Sequence, residues 1–295
     1  MSRLDPEELT QCFVSWATVL SDLSGGEIVA IDGKTLRHFF DRAASTKAIH
    51  MVSAWVNRNR LVLGQVKVDD QSNEITAIPK LLKMLDLTGA TVTIEAMGCQ
   101  KEIAQVITEQ GADYVLALKK HHSHLYEDVT LFLDDAQVTD FAEIDHDDHE
   151  TVDGDHGRIE TRRYWITSDL DWLGAKASWA NWQSLGLVES RREIGEKVEI
   201  ERRDYLVSLP ADGIRFGEAV RQHGGVENEL HWVLDVSFNE AACRIRKDQG
   251  AQTFSVLRPI ALNLLKRESQ HQRGIKARRK RAGWDRDYLL QVLRG

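Results

Sequence analysis

The chain has 295 residues, of which 42% are hydrophobic and 28% charged, a composition typical of a soluble globular protein with one large domain or two. It has no apolar run of about 18 residues and no signal-peptide core near its polar N-terminus, so we expect a cytoplasmic protein without a membrane span. Its three cysteines are widely separated and odd in number, which argues against a disulfide framework and against a paired-cysteine metal site.

The charge is distributed unevenly around its net value of −8. Ten acidic residues and no lysine or arginine lie between Asp134 and Asp155. Residues 266–295 reverse this, with ten Lys or Arg against three acids, and contain the string KARRKR at 276–281. This basic tail predicts either a solvated helix face or frayed terminus, or a surface that contacts phosphates. The charge pattern alone leaves both interpretations open.

Hydrophobic spacing in the first 119 residues predicts alternating strands and helices. The predicted elements are a helix at 5–24 beginning at Asp5-Pro6, strands at 27–33, 50–56 and 60–68, a helix at 74–86 with Pro79 in its first turn, a strand at 91–97, a helix at 101–111 and a strand at 114–119. The first three strands indicate an antiparallel meander. The later alternation of strand and helix indicates parallel pairing in an α/β sheet.

The middle of the chain predicts a polar loop at 120–155, followed by a β-rich region. Six histidines in this loop or directly after it match no familiar zinc spacing, and they are His121, His122, His124, His146, His149 and His156. Strands are predicted at 162–168, 184–194 and 202–209. Helical spacing returns at Phe216, with an interruption at Gly224-Gly225. It returns again at 251–268, where Pro259 marks a kink or a start.

Three acids stand out by their context. Asp32 and Glu95 each follow a short apolar strand, and Glu227 lies in a helical stretch just after the double glycine. Acids at adjacent strand ends of an α/β sheet can converge, and converging carboxylates bind hard divalent cations such as Mg²⁺. Position alone leaves the alternative open that each acid faces water or caps a helix.

Seven strings carry a family resemblance, and they occur in the family's order from about residue 4 to about residue 268. They are AIDGKTLR (30–37), HMVSAW (50–55), SNEITAIPKLL (72–82), TIEAMGCQKEIA (93–104), HGRIETRRYW (156–165), ENELHWVLDVSF (227–238) and ALNLLKRE (261–268). Together they resemble the H-repeat-associated transposases, a bacterial insertion-sequence family of the DDE class.

The resemblance implies an RNase H-like catalytic core with a β-rich insertion between the second and third acids. It implies cleavage and strand transfer of double-stranded DNA at transposon ends and targets, with two Mg²⁺ or Mn²⁺ ions. By motif position, Asp32, Glu95 and Glu227 would be the catalytic and metal-binding acids. The candidates for DNA contact or active-site support are Lys34, Arg158, Arg162, Arg221, His223, Asn228 and His231, with Lys276, Arg278, Arg279, Lys280 and Arg281 in the basic tail.

The resemblance also implies a division of the chain and a multimeric state. Residues 1–24 would be the end of a longer N-terminal helical region. Residues 25–119 and 213–268 would form the core around an insertion at 120–212, and 269–295 would be the basic tail. A homodimer or higher multimer on DNA, associated with the nucleoid, is expected by analogy.

Three positions depart from the family pattern. Glu95 stands where the family has Asp, Gly224 where it usually has Trp, and Ala241 where it has Asp. Glutamate is one methylene longer than aspartate, and catalytic groups need placing within roughly 0.5 Å. The sequence therefore keeps four hypotheses: an active transposase, an inactive DNA-binding remnant of one, a metal-dependent nuclease, and a non-enzymatic DNA-binding protein that uses the basic tail.

Overall fold

The computed structural model describes residues 3–21, 25–36, 48–69, 71–155, 157–245 and 247–294. Residues 22–24 of the predicted first helix, Arg37 of the AIDGKTLR string and His156 lie outside the described residues. The chain forms two compact units. The first unit combines residues 1–86 with 224–295, and the second unit is residues 87–223.

Nine strands and nine α-helices lie in the described residues, and a mixed α/β fold is confirmed. In chain order the first elements are α1 (Pro6–Leu20), β1 (Ile28–Leu36), β2 (Ile49–Val56), β3 (Leu61–Lys67), α2 (Glu74–Leu82), β4 (Thr91–Ile94), α3 (Lys101–Glu109), β5 (Asp113–Leu118) and α4 (Ser123–Val138). The later elements are β6 (His146–Asp155), β7 (Arg158–Thr167), β8 (Ser184–Ile194), β9 (Lys197–Val207), α5 (Gly213–His223), α6 (Trp232–Phe238), α7 (Gly250–Arg267), α8 (Ile275–Trp284) and α9 (Arg286–Arg294).

The first unit is built on the predicted meander. Strand β1 pairs with β2, and β2 pairs with β3, both antiparallel. Helix α1 begins at the predicted cap, where Asp5 Oδ1 accepts a hydrogen bond from the Glu7 amide at 2.8 Å. Its buried residues Phe13 and Ala17 share a core with Trp55 and Val62. The three strands therefore have one face covered by a helix that precedes them in the chain.

Helix α7 is fixed to β3 by a buried side chain. Asn263 is fully buried, and its Oδ1 accepts from the Val62 amide at 2.9 Å. Its Nδ2 donates to the Val62 carbonyl, also at 2.9 Å. The side-chain amide thus takes the place that a neighbouring strand would have, because it pairs both backbone polar groups of Val62.

The second unit is a six-stranded sheet in the order β4-β5-β9-β8-β7-β6. Strands β4 and β5 are parallel and joined by α3, as predicted, and the other pairings are antiparallel. Helix α5 packs closely on one face, since a Cβ at Gly186 would lie 2.3 Å from the Phe216 ring. Helix α4 lies on the other face, where Thr130 donates to Asp204 at 3.2 Å.

Several sequence predictions were wrong in detail. Residues 120–155 are not a loop, because they contain α4 and β6, whose polar residues face solvent while Val129 and Leu133 are buried. Pro79 lies inside α2 rather than in its first turn. Pro259 likewise lies inside α7 and does not start it. Among the described helices, none has the length and hydrophobicity needed to cross a membrane.

The double glycine and the basic tail also differ from the expectation. Helical structure resumes at Gly225 and continues as a π-helix, Val226–His231, directly into α6. The tail is not frayed, because α8 and α9 fold back so that Tyr288 and Val292 pack on Leu265. Packing between helices overrides the local helix-breaking tendency of glycine and of clustered positive charge.

Replacing Asn263 by leucine is expected to lower the free energy of unfolding by about 2–4 kcal/mol, because both backbone groups of Val62 would stay buried without partners. Urea denaturation followed by circular dichroism measures this change. Arg267→Ala, an exposed substitution on the same helix, should change stability by less than about 0.5 kcal/mol. Equal effects of the two variants would contradict the role assigned to Asn263.

Candidate active site

Asp32 lies on β1 directly after the part of this strand that is buried in the core of the first unit. The four residues before it, 28–31, are buried, whereas the Asp32 side chain is 26% exposed. Its Oδ2 lies 3.3 Å from Nδ1 of His231, which is the last residue of the π-helix and is buried. The structure therefore brings together two of the predicted site residues and places a carboxylate oxygen beside an imidazole nitrogen.

Lys34, two residues further along β1, is already paired with acids. Its Nζ lies 2.7 Å from Asp235 Oδ1 and 3.0 Å from Glu240 Oε2, and it donates to the His231 carbonyl at 3.1 Å. Glu240 is 1% exposed and also lies 3.5 Å from an Arg258 guanidinium nitrogen. Lys34 therefore joins β1 to α6, and two carboxylates already balance its charge.

Glu227 is exposed on the first turn of the π-helix, and Asn228 beside it donates to the Gly224 carbonyl at 3.1 Å. Gly225 permits a close approach at this point, because a Cβ there would lie 2.0 Å from Asn57 Oδ1. That oxygen accepts from the Trp55 indole at 2.7 Å. The turn between β2 and β3 thus supports the π-helix that carries Glu227.

Lys266 completes this support. Its Nζ lies 4.0 Å from the centre of the Trp55 ring and donates to the Glu229 carbonyl at 3.3 Å. Burial lowers the pKa of Lys266 to about 8; the Glu229 charge opposes that shift and the Arg60 charge adds to it. An ammonium group that is partly desolvated at neutral pH therefore lies under the π-helix.

Glu95 lies in the second unit, directly after β4, and its side chain is 40% exposed. Three basic groups surround it: Arg203 at 3.6 Å, His223 Nε2 at 3.7 Å and Lys119 Nζ at 4.0 Å. All three distances exceed a hydrogen bond, so Arg203 and Lys119 balance the charge of the carboxylate without occupying its lone pairs. Burial lowers the pKa of His223, against the opposing effect of Glu95, and Thr93 Oγ1 lies 2.8 Å from its Nδ1.

The donor chemistry suits a hard divalent cation. Asp32, Glu95 and Glu227 offer carboxylate oxygens that are partly or fully exposed, which is the ligand type that Mg²⁺ and Mn²⁺ prefer. Within the described part of the chain, no three His, Cys, Asp or Glu side chains are grouped closely enough to hold a metal ion.

The predicted arginines of the second unit form an ionic network on the side of the sheet that faces α5. Arg162 pairs with Asp153 at 2.9 Å and with Glu160 at 2.5 Å. Arg221 reaches the same Asp153 at 2.7 Å, and Arg158 lies 3.4 Å from Glu160. Arg158 and Arg221 are nonetheless 42% and 45% exposed, so their guanidinium groups remain accessible to a phosphate.

The KARRKR string divides into structural and exposed residues. Arg278 donates to the Leu265 and Glu268 carbonyls at 2.9 and 2.7 Å, which caps the end of α7. Arg281 pairs with Asp285 at 3.0 Å and lies 4.6 Å from the Tyr288 ring centre. Lys276 and Lys280 are exposed. Arg279 is half-buried, and its guanidinium carbon lies 5.6 Å from the centre of the Phe238 ring.

Sequence patterns did not reveal four charged residues, two that lie beside Glu95 and two that pair with Lys34. Lys119 ends a predicted strand next to the one that Glu95 follows, so the same strand-end argument could have found it. Arg203 begins a predicted strand, but its face depends on pairing register. Asp235 and Glu240 gave no local signal, because a long-range contact with Lys34 decides their role.

Comparisons with known proteins show which family the chain is similar to. A family model described as the transposase DDE domain matches residues 23–264. The whole chain is 37% identical over 300 residues to the "H repeat-associated putative transposase YhhI" of Escherichia coli K12, of which it covers 79%. It is 39% identical over 297 residues to the "Putative transposase YncI" of Escherichia coli O157:H7, with 99% of this chain and 75% of that protein covered.

A protein of another organism is also similar to this chain. An "Uncharacterized protein in dhlA 3'region" of Xanthobacter autotrophicus is 44% identical over 214 residues, covering 72% of this chain and 70% of that protein. The chain belongs to the DDE transposase family. The resemblance to the H-repeat-associated transposases is thereby confirmed.

The stability contributed by Lys266 should rise with pH. Its pKa in the fold, about 8, lies below the ordinary 10.5, so between these values the unfolded chain binds more protons than the folded one. From pH 7 to 9.5, the free energy of unfolding of the native chain should gain about 2 kcal/mol relative to Lys266→Met. Urea denaturation of both proteins at each pH measures the difference, and a pH-independent difference would contradict the lowered pKa.

Proposed function

We propose that this protein is a DDE transposase that cleaves DNA at the ends of an insertion sequence and transfers the strands to a target. The observation that carries the proposal is the DDE-domain match over residues 23–264, which includes all three candidate acids. The proposed fold is an RNase H-like core, with residues 120–212 as an insertion between the second and third acids.

Asp32, Glu95 and Glu227 are the residues proposed to hold Mg²⁺ or Mn²⁺, each assigned by its place in a family motif. When bound, a pair of such ions activates a water or a 3′-hydroxyl and stabilises the leaving oxygen of a phosphodiester. The protein's own contribution is to aim the carboxylates. Lys34 fixes the strand that carries Asp32, and His231 lies beside its Oδ2.

The basic groups around Glu95 are proposed to bind the DNA backbone. Lys119 and Arg203 are 64% and 45% exposed and lie too far from Glu95 for hydrogen bonds. Lys119 can therefore orient towards a phosphate that approaches this strand end, and Arg203, whose Nε pairs with Glu201 at 2.9 Å, can offer its other guanidinium nitrogens. Such contacts fix the position of DNA without reading its sequence. Arg158 and Arg221 would extend this contact along the same unit.

A second candidate is an inactive DNA-binding remnant, and Glu95 is the observation that favours it. If the family's aspartate is needed there, the extra methylene displaces the carboxylate by about one C–C bond, more than the roughly 0.5 Å that catalytic geometry tolerates. The proposed substrate is double-stranded DNA in either case. The working state is proposed to be a nucleoid-associated homodimer or higher multimer.

Plasmid nicking and strand transfer with Mg²⁺ or Mn²⁺ test the catalytic assignment. The native chain is expected to nick and join, Asp32→Asn to lose both activities by at least about a thousandfold, and Glu95→Asp to exceed the native rate. Asp69→Asn is the matched control, because Asp69 is an exposed acid in the same unit, paired only with Lys80 among the described residues.

Each of the other outcomes would assign a different function to the protein. Activity in Glu95→Asp alone would make the native chain a disabled transposase. Nicks without joined products would favour a nuclease. If no variant cuts and all bind DNA equally in EDTA, the catalytic assignment fails and the DNA-binding remnant is the better account.

Lys276 and Lys280 should contribute to DNA affinity without contributing to stability. The double variant Lys276→Gln with Lys280→Gln is expected to weaken DNA binding, and to reduce the slope of log affinity against log salt by about 2. Arg278→Gln is the contrasting variant, since it removes the cap of α7 and should lower the melting temperature. Fluorescence anisotropy at several salt concentrations, with thermal melts, separates the two effects. An unchanged salt slope in the double variant would exclude α8 from the interface.

A further inference from the structure

The outer half of the second unit's sheet extends beyond the helix that covers one of its faces. We define the distal arm as residues 151–155, 158–162, 190–194 and 197–201 of the four antiparallel strands β6–β9. On the proximal part of this face, Gln137 near the end of α4 accepts from Arg202 at 3.1 Å. Helix α4 ends at Val138, so the strands continue outward beyond this helix.

Strand register places four aliphatic side chains on this face. One row across this face contains Val152, Thr161, Arg191 and Ile200, which are cross-strand neighbours in that order. The next row on the same face contains Ile159, Glu193 and Val198. Side chains alternate between faces along a strand, so these two rows point to the same side. Val152, Ile159, Val198 and Ile200 are 62%, 49%, 46% and 64% exposed.

The other face of the arm is different in character. It carries the ionic network of Arg162, Glu160 and Asp153. Arg221 of α5 joins this network by pairing with Asp153. The aliphatic face therefore lies opposite the side proposed to contact DNA. A cluster of exposed aliphatic residues on one face of a sheet is typical of a surface that another protein covers.

The edge strand of the arm carries charges that oppose pairing with another strand, whereas the aliphatic face of the arm does not. Strand β6 is the edge strand of the arm, and it carries Asp153 there and Asp147, Asp148 and Glu150 on its part outside the arm. Edge-to-edge pairing of two such strands would bring like charges together, and natural sheets use this to prevent association. Association through the arm is therefore favoured face to face.

The charges on this face are complementary to themselves. Arg191 and Glu193 lie two residues apart on the inner strand β8 and pair with each other at 3.1 Å. They are 52% and 36% exposed. If two arms pack about a two-fold axis, each Arg191 can meet Glu193 of the other copy, because an isologous interface uses the same patch twice. The pair already forms within one copy, so a second copy would cover the apolar residues and let the two charges exchange partners between copies.

We propose that the aliphatic face of the distal arm is the surface through which two copies of this chain associate. The proposal rests on the multimeric state of the proposed function and gives that state a location. Five residues by four strands cover about 300 Å² per copy at ordinary strand spacings. This is below the roughly 800 Å² per partner of a standard stable interface, so the contact alone gives a weak, reversible dimer.

Sedimentation velocity of the full chain without DNA measures the association. The concentration series extends to about 200 μM, a range suited to a contact of this small size. The native chain is expected to sediment faster as concentration rises, and Ile200→Asp to raise the dimer dissociation constant at least about tenfold. Ile194→Asp is the matched control, because Ile194 is 51% exposed on the opposite face of the same arm. Circular dichroism melts verify that both variants fold.

A charge exchange tests the geometry of the contact. Arg191→Glu and Glu193→Arg should each weaken self-association, and an equimolar mixture of the two single variants should restore it, because their opposite charges can meet only between copies. A native chain that stays monomeric throughout the series would overturn the proposal, as would equal effects of Ile200→Asp and Ile194→Asp. Nicking is measured separately with DNA and metal, so loss of self-association and failure of the transposase assignment give different results.

Discussion

A buried carboxylate constrains the first unit. Glu240 is 1% exposed, and an isolated charge in that position would cost several kcal/mol, so the fold must bring positive groups to it. Lys34 of β1 and Arg258 of α7 supply them, at 3.0 and 3.5 Å. Through Glu240, these contacts link β1, the strand that carries Asp32, to α7. Breaking either pair would leave a charge buried without compensation.

The same constraint accounts for the surroundings of Glu227. Lys34 also donates to the carbonyl of His231, the last residue of the π-helix, and so holds that helix beside β1. At the other end, Gly225 fits against Asn57, where a side chain would not. The π-helix widens the helix by one residue at this point, a feature that often occurs at functional sites. Asp32 and the helix of Glu227 are thus positioned by side chains that need not touch DNA.

The second unit presents the opposite electrostatic case. Glu95 is a part-exposed carboxylate surrounded by basic groups at distances too long for hydrogen bonds. Desolvation costs are small for such a group, so it constrains the fold little and remains available to a ligand. The sheet itself depends on packing, with Phe216 seated over Gly186 and α4 covering the inner part of the other face. Where α4 ends, the strands keep their pairing but are no longer covered by that helix.

Local pattern determined much of this protein. The cap at Asp5, the β1–β3 meander, the parallel pair β4–β5 and the limits of β8 follow from hydrophobic spacing and turn residues, because these signals act over a few residues. The strings that identify the DDE family are equally local, and they sufficed to select Asp32, Glu95 and Glu227 as candidates.

Tertiary structure decided what spacing could not. Residues 120–155 have little apolar content, yet a few buried side chains such as Val129 and Leu133 are enough to form α4 when a sheet is present to pack on. The division of KARRKR into a helix cap and an exposed face depends on where α7 ends. The partners of Glu240, and the face on which Ile200 lies, depend on residues distant in sequence. Burial and strand register are properties of the assembled chain, so no local signal could have specified them.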